Sequence, residues 1–376
     1  MASNSANRYL PDRVSPPGET LLETLEALGM SQADLAERTG RPRKTINEII
    51  KGKAAITAET ALQLERVLGI PAGFWINRER QYRESQARYE EANRLIADKA
   101  WLRCFPIREM ARWGWIVRHK EPVQQLRELL NFFGVASPRQ WKGLWTETCV
   151  SFRKSVAFEC STGALTAWLR RGELEARSIK ANPYNADRFR GILAEARKLT
   201  SEPPEKFQAE LVRLCAGAGV ALVFIPETPK TRASGATRWI SLAKALIQLS
   251  LRYKTDDQLW FTFFHEAGHI LLHGKREIFI EGVNSSGTPE EEANRFAADL
   301  LIPQATLHDF IDTGERSKRS IKRFARQIGV APGIVVGRLQ YEGYIPQSHC
   351  NNLKRRFVWV VKASDKSLTP RTNCAQ

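Results

Sequence analysis

Cysteine is scarce in this 376-residue chain. Its six residues (Cys104, Cys149, Cys160, Cys215, Cys350 and Cys374) are scattered and never spaced as C-x-x-C. That spacing excludes a zinc ribbon and argues against a disulfide scaffold; reduced thiols of a cytoplasmic protein fit it better. Long apolar runs are missing too. No stretch approaches the ~20 apolar residues that span a bilayer, and residues 1–18 hold no apolar segment of a secretory signal. The expectation is a cytoplasmic protein with no membrane partner. Acidic residues are the third deficit: 41 Asp+Glu stand against 57 Lys+Arg, a formal net charge of +16. An excess of this size points to a polyanionic partner, most often nucleic acid, and so to association with the nucleoid. Internal repeats and low-complexity tracts are absent, and 43% hydrophobic against 26% charged residues is the balance of a folded chain rather than a disordered one.

The apolar periodicity is mostly helical, with a short strand-rich island in the second half. The fold class read from it is mainly α with a small β-sheet (α+β). Four segments follow from changes in texture: 1–82, 83–206, 207–314 and 315–376. The first holds four or five short helices punctuated by Gly29, Gly40, Gly52 and Gly69, with Ser31 and Thr57 as N-caps. The second is rich in tryptophan (Trp101, Trp113, Trp115, Trp141, Trp145, Trp168), which reads as packing of a helical core. In the third, 220–225, 239–242 and 246–251 read as strands. A helix follows near Thr255, with a capping box to Gln258, and another near Thr288. The fourth opens with Arg316, Lys318, Arg319, Lys322, Arg323 and Arg326 at helical spacing, and residues 369–376 are expected to fray.

Residues 31–52 have helix–turn–helix grammar. Ser31 caps a first helix, Ala36 is small where two helices cross, Gly40 permits a tight turn, and Ile46 and Ile49 seat the second helix. Its exposed positions are then Arg43, Lys44, Thr45, Asn47 and Lys51, with Gln32 placed to touch a phosphate. Lys and Arg neutralise phosphates, and Asn or Arg can pair with base edges in the major groove. Ser31-Gln32-x-x-Leu35-Ala36-x-x-x-Gly40, Arg43-Lys44-Thr45-Ile46, Lys51-Gly52-Lys53-Ala54, Leu68-Gly69 and Phe74-Trp75-x-Asn77 together resemble the Xre-like helix–turn–helix family, in particular its HigA-type antitoxin branch. The resemblance covers about a fifth of the chain. It implies a homodimer that binds a double-stranded DNA operator at an inverted repeat.

Phe264-His265-Glu266-Ala267-Gly268-His269 carries the sharpest chemical signal. Residues four apart share a helix face, so His265 and His269 can both reach one tetrahedral metal, and Glu266 can reach a water bound to it. A third ligand must lie downstream, where Glu290, Glu291 and Glu292 follow one another. Neighbours on a helix point ~100° apart, so only one of them can face the metal. Glu290 shares a face with Asn294, which could steady a metal-bound histidine. Glu290 is therefore selected, with Glu291 as the alternative and Glu292 as a solvated acid. His273, one turn beyond His269, reads as a hydrogen-bonding neighbour of the site rather than a ligand. Residues 246–251 read as an edge strand for an extended substrate.

The run Arg238-Trp239 through Asp256-Asp257, then Trp260-Phe261-x-x-Phe264-His265-Glu266-x-x-His269, then Glu290-x-x-Ala293-Asn294-x-Phe296-Ala297-x-x-Leu300-x-x-Pro303, resembles the ImmA/IrrE family of metallo-endopeptidases over roughly 220–360. The resemblance implies Zn²⁺ held by His265, His269 and Glu290, Glu266 as the base, and cleavage of a partner regulator. Two functions compete at this point. One is an operator-binding regulator fused to a zinc endopeptidase that cuts a protein partner. The other is a HigA-type antitoxin that binds DNA and a toxin, with a structural or silent zinc site.

Overall fold

The computed structural model describes residues 14–150, 162–274, 279–280, 288–361 and 368–372. Cys160 and residues 373–376 of the tail, Cys374 among them, lie outside the described residues. The chain forms two compact units, Met1–Asp98 and Lys99–Gln376.

Among the described residues the first unit contains five helices: α1 (Pro17–Ala27), α2 (Gln32–Thr39), α3 (Arg43–Ile50), α4 (Ala58–Leu68) and α5 (Ala72–Ala97). Leu21, Leu25, Leu35, Ile46, Ile49, Leu64 and Trp75 form its core. Ser31 caps α2 in a full capping box with Asp34, and Thr57 caps α4 by accepting from the Thr60 amide. Gly40 ends α2 in the left-handed region (φ 67°), so the chain can turn sharply into α3. α5 passes through Tyr82 without a break, because residues 81–99 offer neither glycine nor proline to end it. The contact boundary between the units falls after Asp98 rather than at 82.

The second unit is a small sheet buried on both faces by helices. Helices α6 (Ile107–Arg112), α7 (Pro122–Phe133), α8 (Pro138–Val150), α9 (Thr162–Ser178), α10 (Ala186–Lys198) and α11 (Pro204–Gly217) precede the strands β1 (Val220–Phe224), β2 (Gly235–Ser241) and β3 (Lys244–Leu249). Then come α12 (Asp256–Leu272), β4 (Phe279–Ile280), α13 (Thr288–Leu301), α14 (Gln304–Asp312), α15 (Lys318–Ile328) and α16 (Pro332–Tyr341). A hairpin, β5 (Phe357–Val361) with β6 (Leu368–Thr372), closes the described chain. Residues 369–372 are thus paired strand, not frayed tail.

The sheet order is β1-β3-β2-β4, with β1 and β3 parallel and the other pairs antiparallel. Alternate side chains face opposite layers, as the strand period of two requires. Val220, Leu222, Phe224, Ile247 and Leu249 enter a core shared with α10 to α16. Ala221, Val223 and Leu246 enter a second core, filled from α6 to α9 by Met110, Trp115, Trp141, Trp145 and Trp168. The tryptophans are packing residues, and Trp168 also donates its indole N–H to the Ile225 carbonyl at 3.0 Å. The sheet core therefore takes in residues of both the second and the fourth sequence segments.

Two expectations about this sheet need correction. β3 lies between β1 and β2, so 246–249 are interior strand with no free edge and Ser250 and Leu251 lie beyond it; among the described strands of this sheet the edges are β1 and β4. β2 also begins earlier than the Trp239 start read from the sequence. Its first residue, Gly235, is small because α12 packs directly on it, a Cβ there coming within 2.5 Å of Thr262 Cγ2.

Candidate metal centre

The α12 helix is buried along nearly its whole length, which fixes its rotation. Trp260, Phe263 and Phe264 anchor it in the main core. Thr255 begins it without a side-chain cap, so the expected capping box with Gln258 does not form. Its amino end is tied down instead by Asp256, which accepts from the Arg355 backbone and guanidinium, each at 3.1 Å. Arg355 in turn donates to the Glu202 carbonyl at 2.8 Å and to that of Thr200. Along its flank, Thr237 of β2 donates to the Glu266 carbonyl at 3.1 Å. Gly268 lets α13 come close: a Cβ there would sit 3.3 Å from the Ala293 Cα.

These contacts bring His265, His269 and Glu290 together. One ligand atom from each lies within 4.8 Å of the others. The Nε2 atoms of the two histidines are 3.0 Å apart; Glu290 Oε2 is 3.2 Å from His265 and its Oε1 is 3.6 Å from His269. Glu291, the alternative ligand, lies elsewhere. With Phe261, Asn294, Ile334, Arg338 and Tyr341 it lines a cavity of about 470 Å³ between α12, α13 and α16. Glu266 is fully buried beside the two histidines. Gly235 leaves the room for it, since a Cβ at that position would come within 2.6 Å of Glu266 Oε1.

The far side of each imidazole is also held. His265 Nδ1 lies 2.9 Å from Asn294 Oδ1, the contact expected from the shared face of α13. His269 Nδ1 lies 2.9 Å from His273 Nδ1, and His273 Nε2 lies 3.2 Å from Glu292 Oε2. One proton arrangement satisfies the whole chain. His265 and His269 donate from Nδ1, and His273 accepts at Nδ1 and donates from Nε2 to the Glu292 carboxylate. Both Nε2 lone pairs then face Glu290. Phe279 of β4 stacks on the His269 ring, with centroids 4.0 Å apart and planes at 11°.

Sequence reasoning missed Glu292 and Phe279. Glu292 is half exposed but pairs with His273, so it is not merely a solvated acid. Phe279 carried no periodic signal, because β4 is only two residues long.

Electrostatics match a cation site. Burial raises the Glu290 pKa, but the Nε2 groups of His265 and His269 beside it outweigh burial and bring it down to about 2. Burial pushes His269 below its ordinary value, against the pull of Glu290. The neutral imidazole that burial favours at His269 and the ionised Glu290 are the protonation states that metal binding requires.

In the first unit, Arg43, Lys44 and Lys51 are exposed, and Thr45, Asn47 and Gln32 are partly so. Asn47 Nδ2 donates to Gln32 Oε1 at 3.5 Å across the α2–α3 turn. Lys44 pairs with Glu48 at 3.9 Å. The polar residues of α3 thus share an outward face while Ile46 and Ile49 face the core.

Residues 21–75 match the helix-turn-helix family, and residues 219–340 match the IrrE N-terminal-like domain, a peptidase family. The Virulence-associated protein I of Dichelobacter nodosus is 40% identical over 67 residues, 18% of this chain and 62% of that protein. The uncharacterized HTH-type transcriptional regulator YddM of Escherichia coli strain K12 is 33% identical over 61 residues, 16% of this chain and 65% of that protein. The chain thus spans less than two thirds of the length of these curated relatives. Among solved structures, a HigA-family addiction module antidote protein from Coxiella burnetii is 32% identical, with 23% of this chain and 94% of that one covered and a TM-score of 0.21. Antitoxin HigA of Pseudomonas aeruginosa, solved with the higBA promoter, is 30% identical, with 22% and 90% covered and a TM-score of 0.21. The chain carries an Xre-type helix–turn–helix domain near its amino terminus and an IrrE N-terminal-like peptidase domain in its second unit.

Proposed function

We propose that this chain is a DNA-binding transcriptional regulator whose second unit is a zinc-dependent endopeptidase that cleaves a protein partner, such as a repressor or an antitoxin. The observation that carries the reading is the convergence of His265, His269 and Glu290 within 4.8 Å, beside the buried Glu266. Two imidazole nitrogens and one carboxylate are a donor set of catalytic zinc sites, which keep a further position open. The residues fit the ion. His265, His269 and Glu290 would hold it, and Asn294 and His273 fix the two rings by their Nδ1 atoms. When bound, zinc supplies Lewis acidity, acidifying water and polarising a carbonyl.

Glu266 is the general base. It takes a proton from the attacking water and returns it to the leaving amine. Its carboxylate is buried against Gly235, where any larger residue would displace it. In the first unit, Arg43 and Asn47 are the residues for base edges, and Lys44, Lys51, Thr45 and Gln32 those for backbone. The chain acts as a homodimer on an operator in the cytoplasm, at the nucleoid. Joining the two activities raises the protease concentration near regulators bound to the same DNA.

The deciding experiment compares the wild-type chain with Glu266→Gln. The variant should keep zinc and DNA binding and lose peptide cleavage, and a variant that still cuts at the wild-type rate would refute the enzymatic reading. A wild-type chain that binds zinc, cuts nothing and forms a stoichiometric complex with a toxin would favour an antitoxin with a structural metal.

A further inference from the structure

Helix α15 carries five cations and no acid. Its inner residues Ile321, Phe324 and Ala325 are buried in the main core, and Ser317 and Gly329 cap its two ends, so its backbone is firmly held. Its outer residues are Lys318, Arg319, Lys322, Arg323 and Arg326, all exposed. Arg323 reaches Glu315 at 2.7 Å; among the described residues no carboxylate lies within ion-pair distance of the other four. Several other helices pair their arginines with nearby carboxylates. Arg80 and Arg88 flank Glu84 on α5, Arg171 and Arg177 pair with Glu175 and Glu173 on α9, and Arg213 pairs with Glu210 on α11.

The arrangement on α15 opposes helix stability. Lys318 and Arg319 occupy the first turn, where the positive end of the helix dipole repels cations. Lys318 and Lys322, Arg319 and Arg323, and Lys322 and Arg326 are each four residues apart, so neighbours on this face carry like charges. Buried anchoring holds the helix in spite of this. A surface arranged against its own electrostatics is explained by a partner that removes the repulsion. From Lys318 to Arg326 the face runs ~12 Å at the helical rise. That length matches the axial rise of three to four phosphates along one DNA strand.

We propose that the outer face of α15 is a second DNA-binding surface, one that lies along the phosphate backbone of duplex DNA without reading sequence. The assignment of the polyanion rests on the DNA-binding reading above; the charge arrangement itself does not.

The test is a salt titration of full-length protein binding to a random-sequence DNA duplex. It compares wild type, a variant with all five cations changed to Gln, a milder Lys322→Gln/Arg326→Gln variant, and Lys44→Ala/Asn47→Ala in α3. Each phosphate contact contributes ~0.9 to the slope of log affinity against log salt, so the five-site variant should lower that slope by about three and the milder one by about two. The α3 variant should keep the α15-dependent part of the slope. An unchanged slope in a folded α15 variant, checked by its melting temperature, overturns the proposal; the milder variant decides if the five-site one fails to fold. An unchanged α3 variant would instead count against the helix–turn–helix reading and leave α15 standing. Tighter α15-dependent binding to single-stranded RNA of equal length than to the duplex would overturn the DNA assignment in favour of RNA.

Discussion

Changing His273 to phenylalanine tests whether the chain of contacts behind His269 matters for metal binding. His273 accepts the Nδ1 proton of His269 at 2.9 Å, and its side chain is 9% exposed. His269 itself is 2% exposed, so water cannot readily replace the lost acceptor. A buried donor left without a partner costs about 1–3 kcal/mol. At ~1.4 kcal/mol per factor of ten, zinc should bind roughly 5- to 150-fold more weakly. That range overlaps the ~10- to 100-fold effect usual for groups that orient metal-bound histidines. Glu292→Gln should do less, because Glu292 is half exposed and its charge is screened. The assay is competition with a zinc chelator on the full chain. Nitrogen-15 NMR of the metal-free protein adds a reading independent of activity: His269 should carry its proton on Nδ1 in wild type and lose that preference in the variant. Wild-type zinc affinity in a folded His273→Phe protein would refute the reasoning.

Two further outcomes follow from neighbouring contacts. Gly235→Ala places a methyl 2.5 Å from Thr262 Cγ2 and 2.6 Å from Glu266 Oε1; overpacking of this kind costs about 1–3 kcal/mol. Displacing the base should slow cleavage on the order of a hundredfold while zinc stays bound, and normal turnover in this variant would mean that Glu266 is not the base. Glu173 ties α9 to β2 through Arg238 at 2.7 Å and also pairs with Arg170 at 3.0 Å. Burial opposes its ionisation, but the two guanidiniums outweigh that and hold its pKa below the ordinary 4.5. A depressed carboxyl contributes stability that is present above pH 4.5 and lost as pH falls through the lower folded value. Glu173→Gln should therefore destabilise the second unit by about 3 kcal/mol at neutral pH, with a gap from wild type that closes in acid. A gap in melting temperature that persists below the carboxyl range would contradict this.

The parts of the fold legible in the sequence were those fixed by local periodicity. Ser31, Gly40, Ile46 and Ile49 define the α2–α3 pair within one short stretch, and the capping box and left-handed glycine are where that stretch puts them. The His265–His269 pair needs only the helical repeat. What was not legible depended on long-range pairing. Residues 246–251 look like any apolar strand, and the interior place of 246–249 comes from β1 on one side and β2 on the other. The first turn of α12 looked ready for a local cap, yet Arg355, 99 residues on, holds it. A capping box is a local solution, and the buried Asp256–Arg355 pair makes it unnecessary.

The acidic run on α13 shows where the helical-phase argument holds and where it stops. Residues two apart point ~200° apart, so Glu290 and Glu292 cannot both face a metal held by α12, and only Glu290 does. The same rule suggested that Glu292 would face solvent alone. It fails there because His273 is not in the helix. Its backbone is extended (φ −115°, ψ 168°), and the chain leaves α12 at that residue. The imidazole is therefore free of the helical stripe and can bridge from His269 to Glu292. Helical phase decides which side chains on two packed helices can share one atom. Where a helix ends decides which others can support them from behind, and here the end falls one turn after the second histidine.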